Sequence, residues 1–200
     1  GAAFARAILV ARSDGALYRA AAETWLLMAE IEYRRRRSPL PSLQRALDLL
    51  DRGALVADPD DAAGHVTKTY VLLHWYRSGS ASPAEDASML DRVVGAAARA
   101  VTIDSKNPRA LVALGIAYIY RGSYEFFHGG QGSSWWHLAS SRLEEALAIA
   151  SDDPRANNAL GLVHRWLGDE FVKTGRDPSR EYALAGRSFE SALALDQGYF

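Results

Sequence analysis

Five histidines, His65, His74, His128, His137 and His164, are the residues of this chain best suited to hold a metal or move a proton near neutral pH. None stands at the short spacing that presents two ligands to one zinc ion, and there is no cysteine to complete such a set. The carboxylate pairs Glu144/Glu145 and Asp152/Asp153 fall where helix surfaces and turns are expected, and solvation and capping account for them. GGQGSS, residues 129–134, is glycine-rich but has neither the lysine nor the preceding strand of a phosphate cradle, so it reads as an interhelical loop. No H-E-x-x-H, G-x-S-x-G or kinase signature occurs. Catalytic residues, metal and cofactor are therefore expected to be absent from this segment. Two clusters could instead make contacts. YRRRR, Tyr33 to Arg37, sets four arginines at the end of a helix, where cations suit the dipole. Consecutive residues point around a helix, which favours a solvated end over a phosphate or acidic-peptide site. SSWWH, Ser134 to His137, offers Trp136 to the core and Trp135 as an exposed contact residue.

The elements that must position these residues are helices. The chain has 200 residues, 48% hydrophobic and 24% charged, an ordinary composition for a packed globular fold. Its net charge of −1 gives no general attraction for nucleic acid or anionic lipid, so no nucleic-acid partner is expected. No apolar run reaches membrane-spanning length, so this segment should not insert into a bilayer. A cytoplasmic location is the expectation, with an extracytoplasmic one left open by the missing cysteines. Twenty of the basic residues are arginine and alanine is abundant, a usage that reads as bacterial.

An internal repeat organises the chain. Ala54, Ala100, Ala146 and Ala192 lie at successive steps of 46 residues, each near the end of a helix-like stretch followed by a turn. ALGIAYIYRG, Ala113 to Gly122, returns as ALGLVHRWLG, Ala159 to Gly168. Each unit reads as two helices. In the last, NNALGLVHRWLGDEFVKT stops at Gly175, a natural C′ residue, and Asp177 caps the second helix with Pro178 at its first position. Ser82, Pro83 and Glu85 form a capping box in the second unit, SPLPS plays that part in the first, and Ser133 or Ser134 in the third. The units run 13–61, 62–107, 108–153 and 154–200. FARA, Phe4 to Ala7, echoes FESA at Phe189 to Ala192, so residues 1–12 read as the second helix of a preceding unit and the whole as one solenoid cut from a longer protein.

These residues carry a resemblance to the tetratricopeptide (TPR) repeat, a 34-residue helix pair with Leu-Gly, an aromatic three residues later, then A-x3-F-x2-A and a proline. Leu114, Gly115 and Tyr118 resemble its first half, and Ala185, Phe189 and Ala192 its second. The units depart from the family in length. The extra residues fall between the paired helices, predicting a longer first helix and linker. Glu23 and Thr69 also occupy Leu-Gly glycine positions. The resemblance implies an all-α α-solenoid of antiparallel helix pairs, a TPR-like superhelix. Small residues would let backbones approach, so Ala192→Leu is expected to overpack by about 1–3 kcal/mol.

The resemblance also implies a non-catalytic scaffold that binds a peptide or helix of a protein partner in a groove lined by first helices. Carried over by register, the groove holds Tyr70, Leu73 and His74 in the second unit, Arg109, Val112, Ile116, Ile119 and Tyr120 in the third, and Arg155, Asn158, Leu162, Arg165 and Trp166 in the last. The alternative is that lengthened first helices bury much of this stripe. A clamp for C-terminal carboxylates is not expected, because only Asn158 fits it and Val112, Val66 and Ala20 stand in the matching places. Long units with a Gly-x-Asp-Pro turn also resemble TPR regions of some bacterial serine/threonine kinases. Two other classes stay open: an all-helical enzyme or small-molecule receptor, and a self-assembly module joined through open solenoid ends.

Overall fold

The computed structural model describes residues 14–79 and 83–195, all helix and turn. The expected echo at Phe4 to Ala7 and the cap at Ser82 lie outside the described residues. Eight helices of ten residues or more are described: α1 Gly15–Arg34, α2 Leu40–Leu49, α3 Ala62–Arg77, α4 Pro83–Ile103, α5 Pro108–Phe127, α6 Ser133–Ile149, α7 Pro154–Lys173 and α8 Ser179–Leu195. They pack in successive pairs, α1 on α2, α3 on α4, α5 on α6 and α7 on α8. The chain divides into two compact units between Asp104 and Ser105. In the first, α3 also packs on α1 and α2; in the second, α7 also packs on α5 and α6. Among the described residues no helix is long and apolar enough to cross a membrane.

Helix starts follow from local chemistry. Asp14, Asn107 and Asp153 accept backbone N–H groups at the heads of α1, α5 and α7, and Pro108 and Pro154 open two of these helices where no N–H is needed. Asp177 accepts both the N–H (3.0 Å) and the hydroxyl (2.7 Å) of Ser179 at the head of α8, as expected from the sequence. At α6 the expectation of a serine cap is corrected. Gly132 occupies the cap position without a side-chain bond, and its N–H donates to Glu170 of α7 at 2.9 Å. Helix α2 continues through a π-helical turn, Leu50–Ala54, where Gly53 leaves room for the ring of Tyr18.

Three of the first helices, α1, α5 and α7, end alike. After α5 and α7, Gly129 and Gly175 adopt φ of 87° and 71°, and the following N–H groups reach back to Glu125 and Phe171 at 2.8 Å. This is the Schellman closure. After α1 the same bond, Arg37 N–H to Glu32 at 2.9 Å, is built with Arg36 at φ 56°. A side chain in this region costs about 1–2 kcal/mol, partly offset by the freedom glycine loses on folding. Arg36→Gly is therefore expected to raise the unfolding free energy by about 0.5–1 kcal/mol in urea denaturation. A destabilised variant would contradict that account.

The repeated alanines are core contacts. Ala54, Ala100, Ala146 and Ala192 are all buried. In the second compact unit, glycines on first helices receive large side chains from their partners. A Cβ on Gly115 would lie 2.7 Å from Leu143, on Gly161 2.5 Å from Phe189, on Gly122 2.5 Å from Trp136 and on Gly168 2.5 Å from Tyr182. In the first compact unit the positions matching Gly115 and Leu143 hold Thr69 and Ala97, both buried, so bulk has moved from one helix to the other. Glu23 is likewise accommodated, accepting the Thr67 hydroxyl at 3.2 Å.

Candidate partner-binding face

Arg155, Asn158, Leu162 and Arg165 follow one another at three- and four-residue steps and so share one face of α7. Arg155, Asn158 and Arg165 are exposed and Leu162 is half-buried. Arg155 and Asn158 line an open depression of about 700 Å³ together with the turn Ala150–Pro154 and with Phe189, Ala192 and Leu193 of α8. Its floor is apolar and its rim carries the Arg155 guanidinium, the Asn158 amide and the carboxylates of Asp152 and Asp153. Arg155 leans toward Asp153, its Nε 3.9 Å from the carboxylate. Arg165 lies 4.5 Å over the Trp166 ring and 3.7 Å from Asp169, and the Tyr182 hydroxyl donates to Asp169 at 2.8 Å.

The remaining expected groove residues divide by burial. On α5, Arg109 is exposed and Ile116 and Tyr120 are half-buried, while Ile119, at 4% exposure, and Val112 are core. On α3, Tyr70 and His74 are half-buried and Leu73, at 3%, is core. Leu73 and Ile119 therefore present almost no surface to a partner. Trp166 turns toward its neighbours: it stacks on Trp136 with 5.8 Å between ring centres and 10° between planes, and meets Phe126 and Phe127 at 6.0 and 5.5 Å. The longer first helix brings these phenylalanines into reach, since α5 runs on nine residues past Tyr118.

Trp135 corrects a second expectation. It is half-buried rather than exposed, with the Tyr118 ring at 5.6 Å and the Arg121 guanidinium at 5.8 Å. Trp136 is fully buried, as expected. His128 stacks on Tyr124 at 4.0 Å, and His164 meets Glu181 at 2.8 Å. Among the described residues no group of three or more histidines and carboxylates is placed to hold a metal. Two features had no clear signal in the sequence: the Glu170 bond to Gly132, and the depression itself, which needs residues of α7 and α8 together.

His74, on α3 in the first compact unit, gives the stability of that unit a pH dependence. Burial, and then the charge of Arg77, lowers its imidazole from the usual 6.5, with Glu30 pulling the other way. The folded pKa lies below the unfolded one, so the unfolded chain takes the proton first. The stability from neutral His74 is present above pH 6.5 and is lost as pH falls through the lowered value. His74→Gln is expected to flatten the fall of Tm on acidification below about pH 6.5. Calorimetry showing an unchanged slope would refute this.

No family model and no curated protein matches the chain. Solved structures do. The chain is similar to TTC0263, a thermophilic TPR protein of Thermus thermophilus, at 17% identity over 96% of this chain and 82% of that one, with a TM-score of 0.59. It is similar to MamA, residues 41 to the end, of Desulfovibrio magneticus RS-1 at 16% identity over 88% and 75%, with a TM-score of 0.51. At such identities the likeness bears on the fold, an all-α α-solenoid of TPR type.

Proposed function

We propose that this segment is a non-catalytic scaffold that binds a peptide or helix of a protein partner, with the depression between the head of α7 and the end of α8 as the main contact. One observation carries the reading: Arg155 and Asn158, assigned to a groove by repeat register, line a depression floored by Phe189, Ala192 and Leu193. An apolar side chain would cover Phe189 and Leu193, an acidic group would pair with Arg155, and the Asn158 amide would bond the partner's backbone. Leu162 and Arg165 continue this face along α7, and Arg109, Ile116 and Tyr120 are the exposed or half-buried positions of α5. The four helix pairs are read as lengthened TPR units, with second helices closing at Ala57, Ile103, Ile149 and Leu195. A recruiting role within a larger bacterial protein, such as a serine/threonine kinase, rests on the Arg- and Ala-rich composition and the Asp-Pro turn.

Peptides selected from a displayed library on the unmodified chain test this reading. They should combine acidic and apolar residues and lose at least about tenfold in affinity for an Arg155→Glu/Asn158→Ala variant that keeps its helical circular dichroism. Equal affinity for both would remove the site. A second reading, self-association, is favoured by exposed apolar side chains of α8, among them Leu193, which also lines the depression. Leu193 is 56% exposed where the matching Leu147 of α6 is half-buried, and Tyr182 is 39% exposed where the matching Trp136 is covered by Trp166. Sedimentation equilibrium should then show mass rising with concentration, abolished by Leu193→Glu; a constant monomer mass would exclude it.

A further inference from the structure

We infer that the arginine-lined depression at the turn between α1 and α2 is a docking site for an acidic protein segment, distinct from the α7 face and independent of its function. The depression is open to solvent, measures about 670 Å³, and its lining includes Tyr33, Arg34, Arg36, Arg37, Leu40 and Ser78. The sequence alone suggested that four consecutive arginines would splay around a helix. Three of the four do not, because the helix ends. Arg34 is its last residue, Arg35 caps it, and the left-handed turn at Arg36 reverses the chain. That reversal lets Arg34, Arg36 and Arg37 line one hollow. Arg34 is paired with Glu30 at 2.5 Å, whereas among the described residues no ion pair is formed by Arg35, Arg36 or Arg37. The Arg77 guanidinium lies 5.6 Å over the Tyr33 ring and adds a further positive charge.

The chemistry of the lining selects the partner. Guanidinium groups stay charged at any physiological pH and present paired N–H donors that match a carboxylate. Tyr33 and Leu40 are exposed at the same place and give an apolar surface for the side chain next to the acid. A short acidic segment fits better than nucleic acid, because tight binding of a polyanion draws on an extended basic surface and this chain carries a net charge of −1. Arg36 also stands where the corresponding turns carry Gly79, Gly129 and Gly175, so a charged side chain occupies a backbone position that glycine adopts without strain.

Fluorescence anisotropy of labelled hexaglutamate with the 200-residue chain, at about 50 mM salt, tests the proposal. Saturable binding is expected, weakened about tenfold by Arg36→Gly and by Arg37→Ser, and changed less than about twofold by Arg180→Ser, which removes the same charge from α8. Arg36→Gly is expected to fold at least as stably as the original, so its loss of binding would not reflect misfolding. The proposal is overturned by no binding up to about 1 mM peptide, by equal weakening in Arg180→Ser, or by no weakening in Arg36→Gly or Arg37→Ser. It is also overturned if a labelled single-stranded deoxythymidine hexamer binds more tightly and the same variants lose it.

Discussion

Replacing Trp136 by alanine is expected to lower the unfolding free energy by about 4 kcal/mol, a large share of the about 5–15 kcal/mol that holds a typical domain together. Trp136 is the largest fully buried side chain among the described residues. Its ring fills space left by Gly122 and Gly132, stacks on Trp166 and meets Phe126 at 5.8 Å, and its indole N–H donates to the Ile119 carbonyl at 3.4 Å. Alanine would forfeit all of this and open a cavity joining α5, α6 and α7, which flanking helices can close only in part. Tyr182 is the control, since it occupies the matching position on α8 but is 39% exposed. Its truncation should cost about half as much or less. Urea denaturation of both variants decides the matter. A Trp136→Ala cost no greater than that of Tyr182→Ala would mean the stacked cluster does not anchor this part of the fold.

The second large effect is expected at Glu170, a buried carboxylate on α7. Its Oε1 accepts the Gly132 N–H at 2.9 Å and supplies the cap that α6 lacks from its own sequence. Glu170→Ala removes the acceptor and leaves that N–H without its partner beside a small void, a loss of about 2–3 kcal/mol. Glu170→Gln keeps a carbonyl oxygen in reach and avoids burying a charge, so it should cost less than about 1 kcal/mol. Hydrogen exchange at the Gly132 amide, faster in the alanine variant and near the original rate in the glutamine one, reports the bond directly. Equal losses in the two variants would show that the charge, rather than the acceptor, matters.

Much of the fold could be read along the chain because the signals are local. Helical spacing of apolar residues, Asn107-Pro108 and Asp153-Pro154 at helix heads, and Gly175 after α7 act within a few residues of themselves, so the sequence reports them directly. The 46-residue recurrence of Ala54, Ala100, Ala146 and Ala192 marked where backbones approach, since only small side chains leave room there. The candidate site was legible in part. Register placed Arg155, Asn158, Leu162 and Arg165 on one face of α7, because helical periodicity alone decides that.

Which side of each helix is covered depends on neighbours far along the chain, and only the tertiary structure decided it. Trp166 turns toward Trp136, thirty residues earlier, and Trp135 rests against Tyr118 and Arg121 of the preceding helix, so aromatics expected at a surface became packing. Leu73 and Ile119 sank into the core for the same reason. The cap of α6 comes from Glu170, thirty-eight residues away, and Arg36 gathers three arginines by taking a conformation its residue type disfavours. Local propensity determines where helices form and stop. Burial, and with it the surface left for a partner, is settled by the mutual fit of whole helices, whose energy belongs to pairs of distant residues rather than to any one stretch of sequence.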